Sequence, residues 1–144
     1  MKKQYQLVFQ KADFTEYTSI LQNEEIRNKV ASFLLKYVSI ESFYKKLLIA
    51  EQEASGKKLS KQQKDHLDVK AGDVRRVLTH FGISGDELLI NRIFGNNDTN
   101  YMDCSIKKLR NRLVHNVNSN VLRCILERYE DMDSDLNTFM ELFV

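Results

Sequence analysis

Val30-Ala31-Ser32-Phe33-Leu34-Leu35-Lys36-Tyr37-Val38-Ser39-Ile40-Glu41-Ser42-Phe43-Tyr44-Lys45-Lys46-Leu47 is the stretch that decides the fold. Its apolar residues Val30, Phe33, Tyr37, Ile40, Tyr44 and Leu47 recur at intervals alternating three and four, the period of one helical face. Ile26 extends the stripe toward the N-terminus. Leu34, Val38 and Leu48 widen it, which suits a bundle better than a bare two-stranded coil. Asn23 is the expected cap, and the polar tail after Ala50 stops at Gly56, so one helix is predicted over 24–54. Glu41 sits at the edge of the stripe. It is expected to be a boundary residue or an ion-pair partner, with a pocket-facing role as the alternative.

Upstream, Asp13-Phe14-Thr15-Glu16 resembles a helix start, with Phe14, Tyr17, Ile20 and Leu21 as its apolar face. Tyr5, Leu7 and Phe9 alternate within residues 1–12. An extended arm or a helix start is expected there, because a lone strand has nothing to pair with. Downstream, Ser60-Lys61-Gln62-Gln63 is a capping box for a third helix with stripe Leu67, Ala71, Val74, Leu78 and Phe81, stopped by Gly82. Gly72 inside it points to a close helix approach or a kink. Ser84-Gly85-Asp86-Glu87 opens a short helix through Leu88, Leu89, Ile90, Ile93 and Phe94. Residues 95–100 form a loop of turn-favouring side chains. A fifth helix follows with Met102, Ile106, Leu109 and Leu113 as its core face. Residues 116–120 break it, and a last helix carries Leu122, Ile125, Tyr129, Met132, Leu136, Phe139 and Phe143.

The 144 residues therefore read as one domain, 1–144, of the all-α class: a single helical bundle of four or five main helices with one short extra helix and mostly antiparallel connections. The absence of proline and the presence of only five glycines favour long helices over a turn-rich β fold. Cys104 and Cys124 fall on apolar positions and are expected to be buried free thiols in a reducing cytosol rather than a disulfide. No apolar run is long enough for a signal peptide or a membrane span, so a cytoplasmic protein with no membrane partner is expected.

Chemistry is expected in one place. His66, His80 and His115 are not at zinc-ligand spacing and no C-x-x-C occurs, so neither a metal site nor a cofactor is expected. Phosphate-cradling glycine loops and the nucleophile elbow are absent as well. Residues 105–123, however, contain Lys107, Lys108, Arg110, Arg112 and Arg123 and no Asp or Glu, in a chain of net charge +2. That segment, with His115 in it, suits a phosphate-bearing partner such as RNA. Metal-free RNA cleavage needs a base for the ribose 2′-OH, an acid for the leaving 5′-oxygen and a cation on the phosphorane. Imidazole and guanidinium meet those needs near neutral pH. Asn111 and Arg112 share a helical face with His115. Arg110 is five residues from His115, roughly 140° around a regular helix. Convergence of the two therefore requires either a helix end near His115 or a second copy of the chain. The bland alternative is that these groups cap carbonyls and pair with the acidic last helix.

Arg110-Asn111-Arg112-Leu113-Val114-His115 resembles the signature of the HEPN superfamily of small helical domains: Arg, a polar residue that is often Asn, then His near a helix end before a long final helix. The match in residues covers this stretch alone. The resemblance implies a metal-independent endoribonuclease working as a homodimer with its cleft at the dimer interface. It casts Arg110 as the phosphorane stabiliser, His115 as the proton carrier and Asn111 as the orienting group. The charge and polarity of the stretch itself make Lys107, Lys108, Arg112 and Asn116 the expected phosphate contacts. The resemblance also implies a toxin or phage-defence role and a possible antitoxin of the nucleotidyltransferase type. One subgroup carries a Tyr two residues after the His. Val117 stands there in this chain, which puts regulation through such a Tyr in doubt. Other members are catalytically silent helical dimers that bind RNA, a nucleotide or a partner protein.

Overall fold

The computed structural model describes residues 18, 21–98 and 100–143. The arm expected over 1–12 and the helix start expected at 13–16 lie outside those residues. Among the described residues the α-helices are, in turn, α1 Glu24–Ala54, α2 Lys61–Asp65, α3 Ala71–His80, α4 Glu87–Phe94, α5 Ile106–His115 and α6 Ser119–Met140, followed by a 3-10 turn Glu141–Phe143. No strand occurs among the described residues, so the fold is an all-α bundle.

The 31 residues of α1 begin at the predicted cap, where Asn23 Oδ1 accepts from the Ile26 amide at 3.1 Å. At the other end Gly56 takes φ +94°, and the amides of Gly56 and Lys57 turn back to the carbonyls of Glu53 and Gln52. Only glycine adopts that backbone without strain. The buried face is Phe33, Tyr37, Ile40, Glu41, Tyr44 and Leu48. Val38 does not join it: together with Leu35 it faces solvent.

The predicted third helix forms as two. The capping box closes as expected, Gln63 N to Ser60 Oγ at 3.1 Å and Ser60 N to Gln63 Oε1 at 2.9 Å. Yet α2 stops at Asp65, and α3 starts from an extended Lys70 whose amide donates to Asp73 Oδ2. The reason is Val69. In a continuous helix it would lie roughly 200° from Leu67, on the solvent side. The extended link turns it inward, where it is fully buried. Gly72 stands in the first turn of α3 with open space where a Cβ would project, so neither a close approach nor a kink explains it. α4 is capped by Asp86 rather than by Ser84, with Asp86 Oδ1 accepting from the Leu88 amide at 2.9 Å. Gly85 belongs to packing instead: a Cβ there would come 2.7 Å from Leu78 Cδ1. Met102 precedes α5 and is half exposed, so it is not part of that helix's core face.

α1 packs most extensively on α6. The two run parallel: Ser32 meets Tyr129, Lys36 meets Asp133 and Asn137, and Tyr44 meets Phe139. α5 lies against α4 and α6, and α3 against α1 and α4. Between them sits an aromatic cluster, with ring centroids 5.5 Å apart for Tyr44 and Phe139, 5.5 Å for Phe94 and Phe139, and 6.1 Å for Tyr37 and Phe94. Offset and tilted pairs of this kind contribute about 0.5–1.5 kcal/mol each beyond the area they bury.

Candidate functional site

α5 is set in place by its own lead-in. Ser105 caps it, its Oγ accepting from the Lys108 amide at 3.2 Å and donating to the Gly95 carbonyl at 2.7 Å. In the loop before it, Asn100 Oδ1 accepts from the amides of Met102 and Asp103, both at 2.9 Å. Ile106, Leu109 and Leu113 face the core as the spacing predicts. These contacts fix how the helix presents its charged residues.

Arg110 is anchored inward. Its Nη2 is 2.5 Å from Glu41 Oε2 on α1, and its guanidinium carbon lies 4.8 Å from the centroid of the Tyr37 ring. Both side chains are largely buried, 18% exposed for Arg110 and 12% for Glu41. Glu41 is thus the ion-pair partner that its place at the stripe edge suggested. Tyr37 Oη donates to the same Glu41 oxygen at 3.3 Å. Burial pushes the Tyr37 hydroxyl well above the ordinary tyrosine range. The Glu41 charge adds to that and the Arg110 contact opposes it. Arg110 Nε is buried without a hydrogen bond among the described residues.

The neighbouring cations are committed too. Lys107, only 3% exposed, donates to the Val69 carbonyl at 2.9 Å and pairs with Asp68 at 2.8 Å, tying the link between α2 and α3 to α5. Arg112 pairs with Asp98 and lies over the Tyr101 ring, 4.7 Å from its centroid. Three of the five cations in the run that the sequence leaves unopposed, Lys107, Arg110 and Arg112, are therefore neutralised in space by Asp68, Glu41 and Asp98, each from another part of the chain. Lys108 and Arg123 have no ion pair among the described residues.

His115 is the last residue of α5, exposed, with no hydrogen bond or ion pair among the described residues. Asn116 caps the helix, its amide donating to the Arg112 carbonyl at 2.9 Å, and its carbonyl accepts from Asn118 Nδ2. Asn111 is half-buried on the same turn. Since α5 remains regular through His115, Arg110 and His115 stay roughly 140° apart within one chain. One copy brings His115, Asn111 and Asn116 to the helix end, and turns Arg110 and Lys107 to the interior.

Beside His115 opens an apolar groove of about 370 Å³ lined by Val30, Leu34, Leu113, Val114, Val117 and Leu122 among others. The residues that the sequence did not connect to the site are Tyr37, Asp68 and Asp98. Comparison with protein-family models, curated proteins and solved structures gives no match.

Proposed function

We propose that the chain is a metal-independent endoribonuclease that cleaves RNA by 2′-OH transesterification in a cleft completed by a second copy of itself. The observation that carries it is the contrast on α5 between an exposed imidazole with no partner among the described residues and a guanidinium held in a fixed position five residues earlier. One copy's His115 takes the 2′-OH proton. The alkoxide attacks the adjacent phosphorus, the bond from phosphorus to the 5′-oxygen breaks, and the second copy's His115 delivers a proton to that oxygen. The products are a 2′,3′-cyclic phosphate and a 5′-hydroxyl. Arg110 stabilises the phosphorane charge by exchanging Glu41 for it once RNA is bound, Asn111 orients the site, and Lys108 and Arg123 draw in the RNA backbone. The apolar groove flanking His115 supports pairing of two copies, because apolar surface beside a site of this kind is stabilised by being covered. The resemblance to HEPN domains extends the proposal to a cytoplasmic toxin or phage-defence role with an antitoxin of the nucleotidyltransferase type.

A second reading is favoured by a specific observation. Glu41 already neutralises Arg110, which suits a catalytically silent helical dimer that binds RNA, a nucleotide or a partner protein. RNA incubated with the protein in EDTA decides between them. Cleavage with cyclic phosphate ends, reduced about 100-fold or more by His115→Ala at an unchanged unfolding midpoint, supports the ribonuclease. Cleavage that requires added metal, or that His115→Ala leaves intact, overturns it. Salt-sensitive binding without turnover supports the silent dimer instead.

A further inference from the structure

Two cysteine sulfurs meet at one carbonyl just before α5, and a methionine sulfur lies against one of them. Cys124 Sγ, on α6, lies 2.7 Å from the Tyr101 carbonyl oxygen and 3.5 Å from Met102 Sδ. Cys104 Sγ lies 3.6 Å from the same oxygen. The two thiols are therefore no farther apart than those two legs together. Both cysteines are free and buried, while Met102 is half exposed. Met102 and Cys104 line a cleft of about 620 Å³ that gives a path from solvent. Arg128 stands over the cluster: Nη1 is 3.7 Å from Cys104 Sγ, and its guanidinium donates to the carbonyls of Tyr101 and Cys104, both at 2.8 Å.

We propose that Cys104, Cys124 and Met102 form a binding site for a soft monovalent cation, Cu(I). Thiolate and thioether donors select that ion over harder ones. Two sulfurs on one ion at about 2.3 Å each can be at most about 4.6 Å apart. The separation of Cys124 and Met102 meets that limit as it stands, and Cys104 joins by leaving the Tyr101 oxygen. Charge fits as well. Binding releases one proton from each thiol, so Cu(I) with two thiolates and a neutral thioether carries one net negative charge, and the partly buried Arg128 is the counter-charge beside it. Tetrahedral zinc is a poorer match, since no group of three or more His, Cys, Asp or Glu among the described residues is placed to hold a metal ion.

The test is anaerobic titration of the full chain with Cu(I) against a chromophoric Cu(I) chelator. The expected result is one ion retained per chain, a thiolate-to-copper band in the ultraviolet, and release of two protons. Met102→Leu, at a half-exposed position that tolerates the change, is expected to weaken retention about tenfold or more at an unchanged unfolding midpoint. A wild-type chain that yields all copper to the chelator overturns the site. So does copper held equally by Met102→Leu, or by the double variant Cys104→Ser/Cys124→Ser, because such copper is bound elsewhere.

Discussion

Arg110 and Glu41 hold each other in a place where neither is well hydrated, so removing one leaves the other's charge stranded. Arg110→Ala and Glu41→Gln are each expected to cost about 2–4 kcal/mol in denaturant unfolding, and the double change Glu41→Gln/Arg110→Met less than the sum of the two. Lost RNA cleavage in Arg110→Ala would thus mix catalysis with stability. His115→Ala carries no such penalty and is expected to shift stability by less than about 0.5 kcal/mol. Tyr44 makes a different prediction. Its hydroxyl is buried without a partner among the described residues, so Tyr44→Phe is expected to be neutral or to stabilise by up to about 1 kcal/mol. Burial also holds the Tyr44 and Tyr37 hydroxyls above the ordinary tyrosine value of about 10. A raised folded value means that stability is intact below the unfolded value and is lost as pH rises beyond it. Unfolding midpoints from about pH 9 to about pH 11 should therefore fall at the alkaline end, and Tyr44→Phe should flatten that fall.

The link between α2 and α3 depends on one buried ammonium. Lys107→Met is expected to leave the Val69 carbonyl without its donor, to cost about 1–3 kcal/mol, and to speed amide exchange in residues 66–70. Gly72→Ala should act in the opposite direction. The position is exposed, its Cβ would meet nothing, and about 0.5–1 kcal/mol of stabilisation is expected. These two elements also mark what the sequence can and cannot convey. α1 is legible because its apolar period is sustained over many turns and its cap and stop are both local. The break after Asp65 is not, since it depends on Lys107 reaching from a helix that lies 38 residues beyond Val69. The same limit applies at the candidate site. The residue types and the angle between Arg110 and His115 follow from the helical period. The neutralising acids do not, because Asp98 and Glu41 lie 14 and 69 residues away and no local window contains the pairing. Glu41 drew notice only as a charge at the edge of an apolar stripe.

At the scale of the molecule the ribonuclease proposal stands on self-association. Val114 is well exposed beside the apolar groove, so Val114→Glu leaves the core untouched. It is expected to turn a dimer at micromolar concentration into a monomer in sedimentation experiments, and to abolish cleavage with it. A wild-type monomer under those conditions removes the shared cleft. The parallel contact of α1 with α6 has a consequence of its own. Lys36 reaches Asn137 across 101 residues, so the most extensive helix pairing in the bundle joins distant parts of the chain. A ribosome adding about 5–20 residues per second needs on the order of 5–20 s to cover that distance. During that interval the stripe of Phe33, Tyr37, Ile40, Tyr44 and Leu48 has been made but its partner has not. Until α6 is made, the part of that stripe which α3 and Phe94 do not cover is expected to stay open. A newly synthesised chain should therefore bind a holding chaperone, and one that ends before residue 119 should bind it for longer.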